Sequence, residues 1–187
     1  MKKQTSIIFF VLLFFISSVK AQKLFTLIPP EYSGVNFINT IIESNKINFL
    51  TYGYLYNGGG VAVGDVNNDG LPDLYFSCNM LPNKLYLNQG NLKFKEVTDS
   101  ANVDGGLGFK TGVTMVDING DGLLDIYLCK SAVADPSLRK NMLYINNGNL
   151  TFTDKAKEYG LDDESYSTQA YFYDMDLDGD LDHCKLV

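Results

Sequence analysis

The 187-residue sequence has no tryptophan, one histidine and three cysteines. With His183 alone, a Ser-His-Asp or Cys-His centre has almost no raw material. Cys78, Cys129 and Cys184 are odd in number and cannot all pair within the chain. Small buried cysteines in strands account for them better than a disulfide framework does. Glutamate is scarce, five residues against seventeen aspartates. Solvated helical faces are usually Glu-rich, so the bias points to turns or ligands. Basic residues are few as well: 15 Lys+Arg against 22 Asp+Glu leave a net charge of −7. A nucleic-acid partner needs a basic face for its phosphates, so none is expected. After residue 21 no apolar run is long enough to span a bilayer.

The one long apolar run is at the start. Residues 1–4 are basic, residues 6–19 are apolar apart from Ser6, Ser17 and Ser18, and Val19-Lys20-Ala21 puts small residues where a signal peptidase reads. This predicts a secretory signal peptide over 1–21, cut before Gln22, and an exported chain with no membrane span once it is removed. The rival, an uncleaved anchor, has too short an apolar run. Without Lys2, Lys3 and Lys20 the net charge becomes −10.

What the sequence has in plenty is glycine, 17 residues, and aromatics at 13%, a mixture that favours strands over helices. It also repeats. Gly60-Val-Ala-Val-Gly-Asp65 through Asp73-Leu-Tyr-Phe overlays Gly112-Val-Thr-Met-Val-Asp117 through Asp125-Ile-Tyr-Leu, and both overlay Gln169-Ala-Tyr-Phe-Tyr-Asp174 through Asp182. The leading aspartates are 52 and 57 positions apart. Between them, Asn83-Lys-Leu-Tyr-Leu-Asn88-Gln-Gly90 matches Asn141-Met-Leu-Tyr-Ile-Asn146-Asn-Gly148, a hairpin signal. Each unit reads strand, Asp-rich turn, strand, loop, strand, Asn/Gly turn, strand. Four short strands per roughly 50 residues suit a β-propeller blade, and less well a β-solenoid.

The expected fold is therefore all-β, a partial propeller of four-stranded antiparallel blades. Residues 22–51 are expected to hold an N-terminal strand, by the likeness of Phe25-Thr26 to Phe152-Thr153, and then a loop or short helix over 37–50. Residues 52–187 hold the repeats: blades over about 52–104 and 105–161, and an incomplete third over 162–187. Propellers close with four to eight blades, so the chain reads as a piece of a longer protein; assembly of a ring from several chains is the alternative.

The Asp-rich turns carry the chemistry. Each follows D-x-[DN]-x-D-[G]-x-x-D, alternate positions whose oxygens can converge on one hard cation. The first offers Asp65, Asn67, Asp69, the Leu71 carbonyl and Asp73. The second offers Asp117, Asn119, Asp121, the Leu123 carbonyl and Asp125. The third offers Asp174, Asp176, Asp178, the Asp180 carbonyl and Asp182. Calcium is favoured over zinc because no Cys or His belongs to the set, and over magnesium because protein oxygens are many. An EF-hand is excluded, since its twelfth position needs Glu where Phe76, Leu128 and Lys185 stand. The bland alternative is ordinary turn chemistry, which three loops in register weaken. Up to three calcium ions are expected, in a structural rather than catalytic role, relieving the repulsion among the carboxylates. The three loops hold 11 of the 22 acids, so three ions would bring −10 to about −4. After Asp182 the third unit reads His183-Cys-Lys-Leu-Val instead of an apolar strand.

These loops, with the flanking Gly-Val-Ala-Val-Gly and Asp-Leu-Tyr-Phe strands, resemble the FG-GAP/VCBS repeats of integrin-like propellers. The stretch over 52–182 is most similar to secreted bacterial VCBS-repeat proteins related to cartilage acidic protein, which often carry an ASPIC/UnbV domain. The resemblance implies a seven-bladed calcium propeller with a role in adhesion, matrix or ligand binding. No Gly-Ala-Pro follows the loops, Tyr173 stands where Gly64 does, and nothing like ASPIC/UnbV is present. Gly58-Gly59-Gly60 opens a strand and not a helix, so no phosphate loop is formed. The expected function is a non-catalytic binding, adhesion or structural module with an extracellular protein or glycan partner. The alternative is a lectin-like propeller, or a scaffold of a polysaccharide-acting enzyme.

Overall fold

The computed structural model describes residues 24–186, so the expected signal peptide over 1–21 lies outside the described residues. Ten strands form three antiparallel sheets, each a simple meander. The first joins β1 (Val61–Gly64), β2 (Asp73–Phe76), β3 (Lys84–Asn88) and β4 (Phe94–Glu96). The second joins β5 (Phe109–Val116), β6 (Asp125–Ser131), β7 (Met142–Asn146) and β8 (Phe152–Asp154). The third pairs β9 (Gln169–Tyr173) with β10 (Asp182–Leu186) in continuous register from Tyr173 opposite Asp182 to Gln169 opposite Leu186. The unusual sequence after Asp182 thus still makes a strand. The four strands per unit read from the repeat are the four strands of each complete sheet.

Alternation along β6 explains why the sheets stack. Side chains on successive strand residues point to opposite faces. Ile126 and Leu128 join a cluster with Tyr75, Leu85 and Val103 of the first unit, while Tyr127 and Cys129 join Leu143, Ala156 and Ala170 on the side of the third sheet. All seven residues of β6 are buried. Apolar burial on both faces supplies roughly 25 cal/mol per Å², and it ties each sheet to the next.

A polar clamp recurs inside both complete units. The Asn83 amide accepts from the Cys78 N–H (2.8 Å) and donates to the Tyr75 hydroxyl (2.7 Å), which donates to the Val103 carbonyl (2.7 Å). Asn141 accepts from the Lys130 N–H (2.8 Å) and donates to Tyr127 (3.0 Å), whose hydroxyl reaches the Leu161 carbonyl (3.0 Å). Buried polar groups with every bond made fix one arrangement of the strands.

Successive units also meet through backbone. The Gly60 N–H donates to the Thr111 carbonyl (3.0 Å) and the Gly112 N–H to the Thr168 carbonyl (2.8 Å). The β5–β6 register shifts between Lys110 and Val113, freeing residues 111 and 112 for these bonds. A Cβ on Gly112 would run into Thr168 and Gln169, so only glycine allows this approach.

The N-terminal expectation is corrected. Residues 24–29 form no strand; Phe25 and Leu27 are exposed, and a single turn, α1 (Pro30–Ser33), follows. A strand needs a partner for its N–H and C=O groups, and among the described residues none lies beside this segment. What does repeat is the turn after it. Gly34, Asn102 and Gly160 all have left-handed backbone, with φ of 78°, 60° and 68°, and Asn102 closes α2 (Thr98–Ala101). Residues 37–50 are irregular rather than helical, with Ile38 and Ile42 exposed. They lie against the first sheet through Phe37 stacked on Phe76 (4.6 Å) and Asn39 bonded to Asn79 (2.7 Å).

Candidate metal loops

Each Asp-rich segment joins the first two strands of its unit. In the first loop Asp65 accepts from the N–H groups of Asp69 (3.1 Å) and Gly70 (2.7 Å), curling the chain around one carboxylate. Gly70 has φ of 84°, the left-handed turn that makes the curl possible. Asn67 accepts from the Asp69 N–H (3.2 Å), and Asp69 from the Leu71 N–H (2.9 Å). The second loop repeats this. Asp117 accepts from Asp121 (3.1 Å) and Gly122 (2.9 Å), Asn119 from Asp121 (3.1 Å), and Asp121 from Leu123 (2.8 Å). Among the described residues the carbonyls of Leu71, Leu123 and Asp180 accept no hydrogen bond.

The ninth-position aspartates differ from the rest. Asp73 is fully buried, accepting from the Val66 N–H (3.0 Å) through one oxygen and the Asn88 N–H (2.8 Å) through the other. Asp125 is likewise buried and bonded to Ile118 (3.2 Å) and Asn146 (2.8 Å). Burial pushes both carboxyls above the ordinary carboxylate range, with the neighbouring loop aspartates adding to the rise against the backbone bonds. Each oxygen keeps a further lone pair, so these carboxylates can still serve a cation while already tying loop to sheet.

Asn88 and Asn146 are supporting residues that sequence reasoning took only for turn formers. Besides their N–H bonds to the aspartates, their amides donate to the Pro72 carbonyl (2.9 Å) and the Leu124 carbonyl (3.2 Å), and accept from Gly90 (2.9 Å) and Gly148 (3.0 Å). Their equivalence in the repeat was the signal. Asn146 also donates to the Val66 carbonyl (2.8 Å), and Asn68 to the Gly122 carbonyl (3.0 Å), so the first two loops are bonded to each other's units.

The third loop is the one where carboxylates converge. Oxygens of Asp174, Asp176 and Asp182 lie within 4.8 Å of one another. Asp174 accepts from Gly179 through Oδ2 (3.0 Å), while its Oδ1 is buried with no partner. Asp182 accepts from the Met175 N–H (2.9 Å). Asp178 accepts from the Asp180 N–H (3.1 Å) instead of joining the trio, and its nearby charge raises the Asp180 carboxyl. A buried oxygen without a hydrogen-bond partner, on an aspartate gathered with two more carboxylates, fits a divalent ion bound by oxygens. In the first two loops the trio is not formed: Asn67 and Asn119 turn amide N–H groups onto Asp69 (3.0 Å) and Asp121 (2.9 Å).

His183 serves packing. Its ring stacks on Phe172 (4.9 Å) and meets Tyr127 edge-on (5.4 Å). Cys78 and Cys129 are buried free thiols, and Cys184 is exposed. Burial pushes the Cys129 thiol up to about 12, which keeps it unreactive.

The two complete units are four-stranded meanders stacked through their faces, each with an Asp-rich loop between its first two strands. Residues 65–128, from the first loop through most of β6, match the family model for the FG-GAP-like repeat. Over 72 residues the chain is 36% identical to cartilage acidic protein 1 of Xenopus tropicalis, an alignment covering 38% of this chain and 11% of that protein. The likeness is therefore to a module within a much longer relative.

Proposed function

We propose that this chain is an exported, calcium-binding propeller module that acts by binding or adhesion, or as structure, and not by catalysis. The observation that carries the metal reading is the orphaned Oδ1 of Asp174 beside Asp176 and Asp182. The equivalent loops at 65–73 and 117–125 extend it to up to three ions, with one ligand set per loop. The FG-GAP-like repeat supports a binding or structural module, and among the described residues no helix is long and apolar enough to cross a membrane. Export rests on the basic-apolar-small pattern of residues 1–21. Bound calcium would replace carboxylate repulsion with shared attraction and stabilise the loops in their folded geometry.

Calcium titration of the full chain, followed by calorimetry and thermal melting, tests this. Calcium is expected to raise the melting temperature, and Asp69→Ala combined with Asp121→Ala to reduce the gain. No heat of binding and an unmoved melting curve would overturn the metal assignment.

A further inference from the structure

Away from the metal loops, the segment 51–57 crosses the mouth between the second and third sheets and encloses two adjoining hollows. One has a volume of about 600 Å³ and reaches Ser131 and Tyr166; the other, about 320 Å³, reaches Gln169 and Tyr171. They share Tyr52, Tyr54, Asn57 and Thr168, so they form one bent trough. The volume is that of a small-molecule or oligomer site.

The lining has an unusual chemistry for this molecule. One residue in five of the chain is charged and the net charge is −7, yet no described residue lining either hollow carries a charge. Four tyrosines do line it. Tyr52 is held in place, edge-on to Phe109 (5.5 Å) and bonded through its hydroxyl to Ser131 Oγ (3.2 Å). Tyr54 meets Tyr52 edge-on (5.9 Å), and the Arg139 guanidinium covers Tyr166 at 4.3 Å. Tyr54, Tyr166 and Tyr171 nevertheless keep 67%, 46% and 51% of their surface exposed. Exposed aromatic rings offer flat apolar faces, and Tyr54 and Tyr166, held by their neighbours, do so at little cost in conformational entropy. Among the described residues the side chains of Asn57 and Thr168 form no hydrogen bond, leaving an amide and a hydroxyl for a ligand.

From this geometry we infer that the trough binds a neutral glycan chain, pyranose C–H faces lying on the tyrosine rings and sugar hydroxyls bonded by Asn57 and Thr168. The inference rests on the reading of the chain as a binding module and gives that module its ligand class. A neutral sugar matches the lining in both respects: it brings weakly polar faces to the rings and many uncharged donors and acceptors to the amide and hydroxyl. An acidic glycan would find no cation among the lining residues, the Arg139 head on Tyr166 being held by the Glu164, Val133 and Ala134 carbonyls, and would approach a negatively charged protein. A peptide added as a strand would need free backbone groups, whereas the Gly60 and Gly112 N–H groups at this mouth already bond to Thr111 and Thr168; a proline-rich peptide on the tyrosines is the rival occupant, and tighter binding of a decaproline than of every hexasaccharide would overturn the glycan assignment.

The test is titration of the full chain, in calcium, with cellohexaose, mannohexaose and laminarihexaose. Calorimetry gives the heats. The absence of tryptophan makes the protein's emission a direct report on its tyrosines. At least one neutral hexasaccharide is expected to bind and alter tyrosine emission, with tri-galacturonate giving no heat. Tyr54→Ala and Tyr171→Ala are expected to weaken binding roughly tenfold each, Tyr54→Phe to retain it, and all three to keep the parent's calcium-dependent melting shift. No heat from any neutral hexasaccharide overturns the inference, as does binding indifferent to both alanine variants or equal binding of the galacturonate. A persisting calcium shift alongside any of these failures leaves the metal reading in place; loss of that shift alone overturns the metal reading and not the trough.

Discussion

The first two Asp-rich loops and the third share one nine-residue pattern and are held differently. At 65–73 and 117–125 the ninth aspartate is buried and bonded by an asparagine from the third strand, and the two loops are bonded to each other's units. At 174–182 Asp182 is half-buried and accepts from the Met175 N–H, and an oxygen of Asp174 is buried without a hydrogen-bond partner. The first pair is bonded into its sheets through the third-strand asparagines, whereas the third loop brings the carboxylates of Asp174, Asp176 and Asp182 together.

The largest effect should come from breaking an anchor. Asp73→Ala leaves two buried backbone N–H groups without acceptors, and Asp125→Ala one buried and one half-buried, at roughly 1–3 kcal/mol each. Urea unfolding is expected to show a loss of about 3 kcal/mol or more for either. Asp182→Ala, partly exposed and bonded to one N–H, should cost less than half as much in the absence of calcium. Equal losses would erase the distinction between the loops.

Next in size is a difference between the two complete units. Lys130 occupies the repeat position of Cys78 and is buried, and burial with Lys110 nearby depresses its ammonium to about 8. A depressed lysine destabilises the fold fully below its folded value, and the penalty fades as pH rises toward the unfolded value of 10.5. Lys130→Met should therefore stabilise relative to the parent by roughly 2 kcal/mol below pH 8, the advantage shrinking between pH 8 and 10.5. Urea midpoints measured in parallel across that range would show it, and the paired comparison cancels the opposing contribution of Cys129.

A smaller change should make the third loop resemble the first. Asp176→Asn removes one carboxylate of the trio and is expected to weaken the calcium binding proposed for the third loop by several-fold in calorimetry, about 1 kcal/mol. The smallest concerns Leu177, an exposed leucine with φ of 63° where the first loop has Asn68 and the second Gly120. Left-handed backbone costs a leucine roughly 1 kcal/mol. Leu177→Asn should recover part of that, read as slower amide exchange in the loop.

Much of the fold was legible because it is written repeatedly. The alignment of Asp65, Asp117 and Asp174 placed all three turns between strands, and the Asn83–Asn88 likeness placed the third strand. What stayed hidden depended on distant partners. The bond from Asn146 to Val66 joins residues 80 apart and that from Asn68 to Gly122 residues 54 apart, and no local pattern reveals either. The expected strand at Phe25 failed for the same reason: its residues have strand character, but pairing is not a property of the segment alone. Substituting Asn for Asp at the third loop position was visible, while its effect, turning an N–H onto the neighbouring carboxylate, required side-chain geometry.

The backbone bonds at each seam run both ways. Gly60 and Gly112 donate forward to Thr111 and Thr168, while Lys110 and Ser167 donate back to Asn79 (3.0 Å) and Lys130 (3.1 Å). Each seam is therefore laced like two edges of cloth sewn by one thread. Sliding one sheet along the next would break bonds of both senses together, so neighbouring units are expected to open as one and not peel strand by strand.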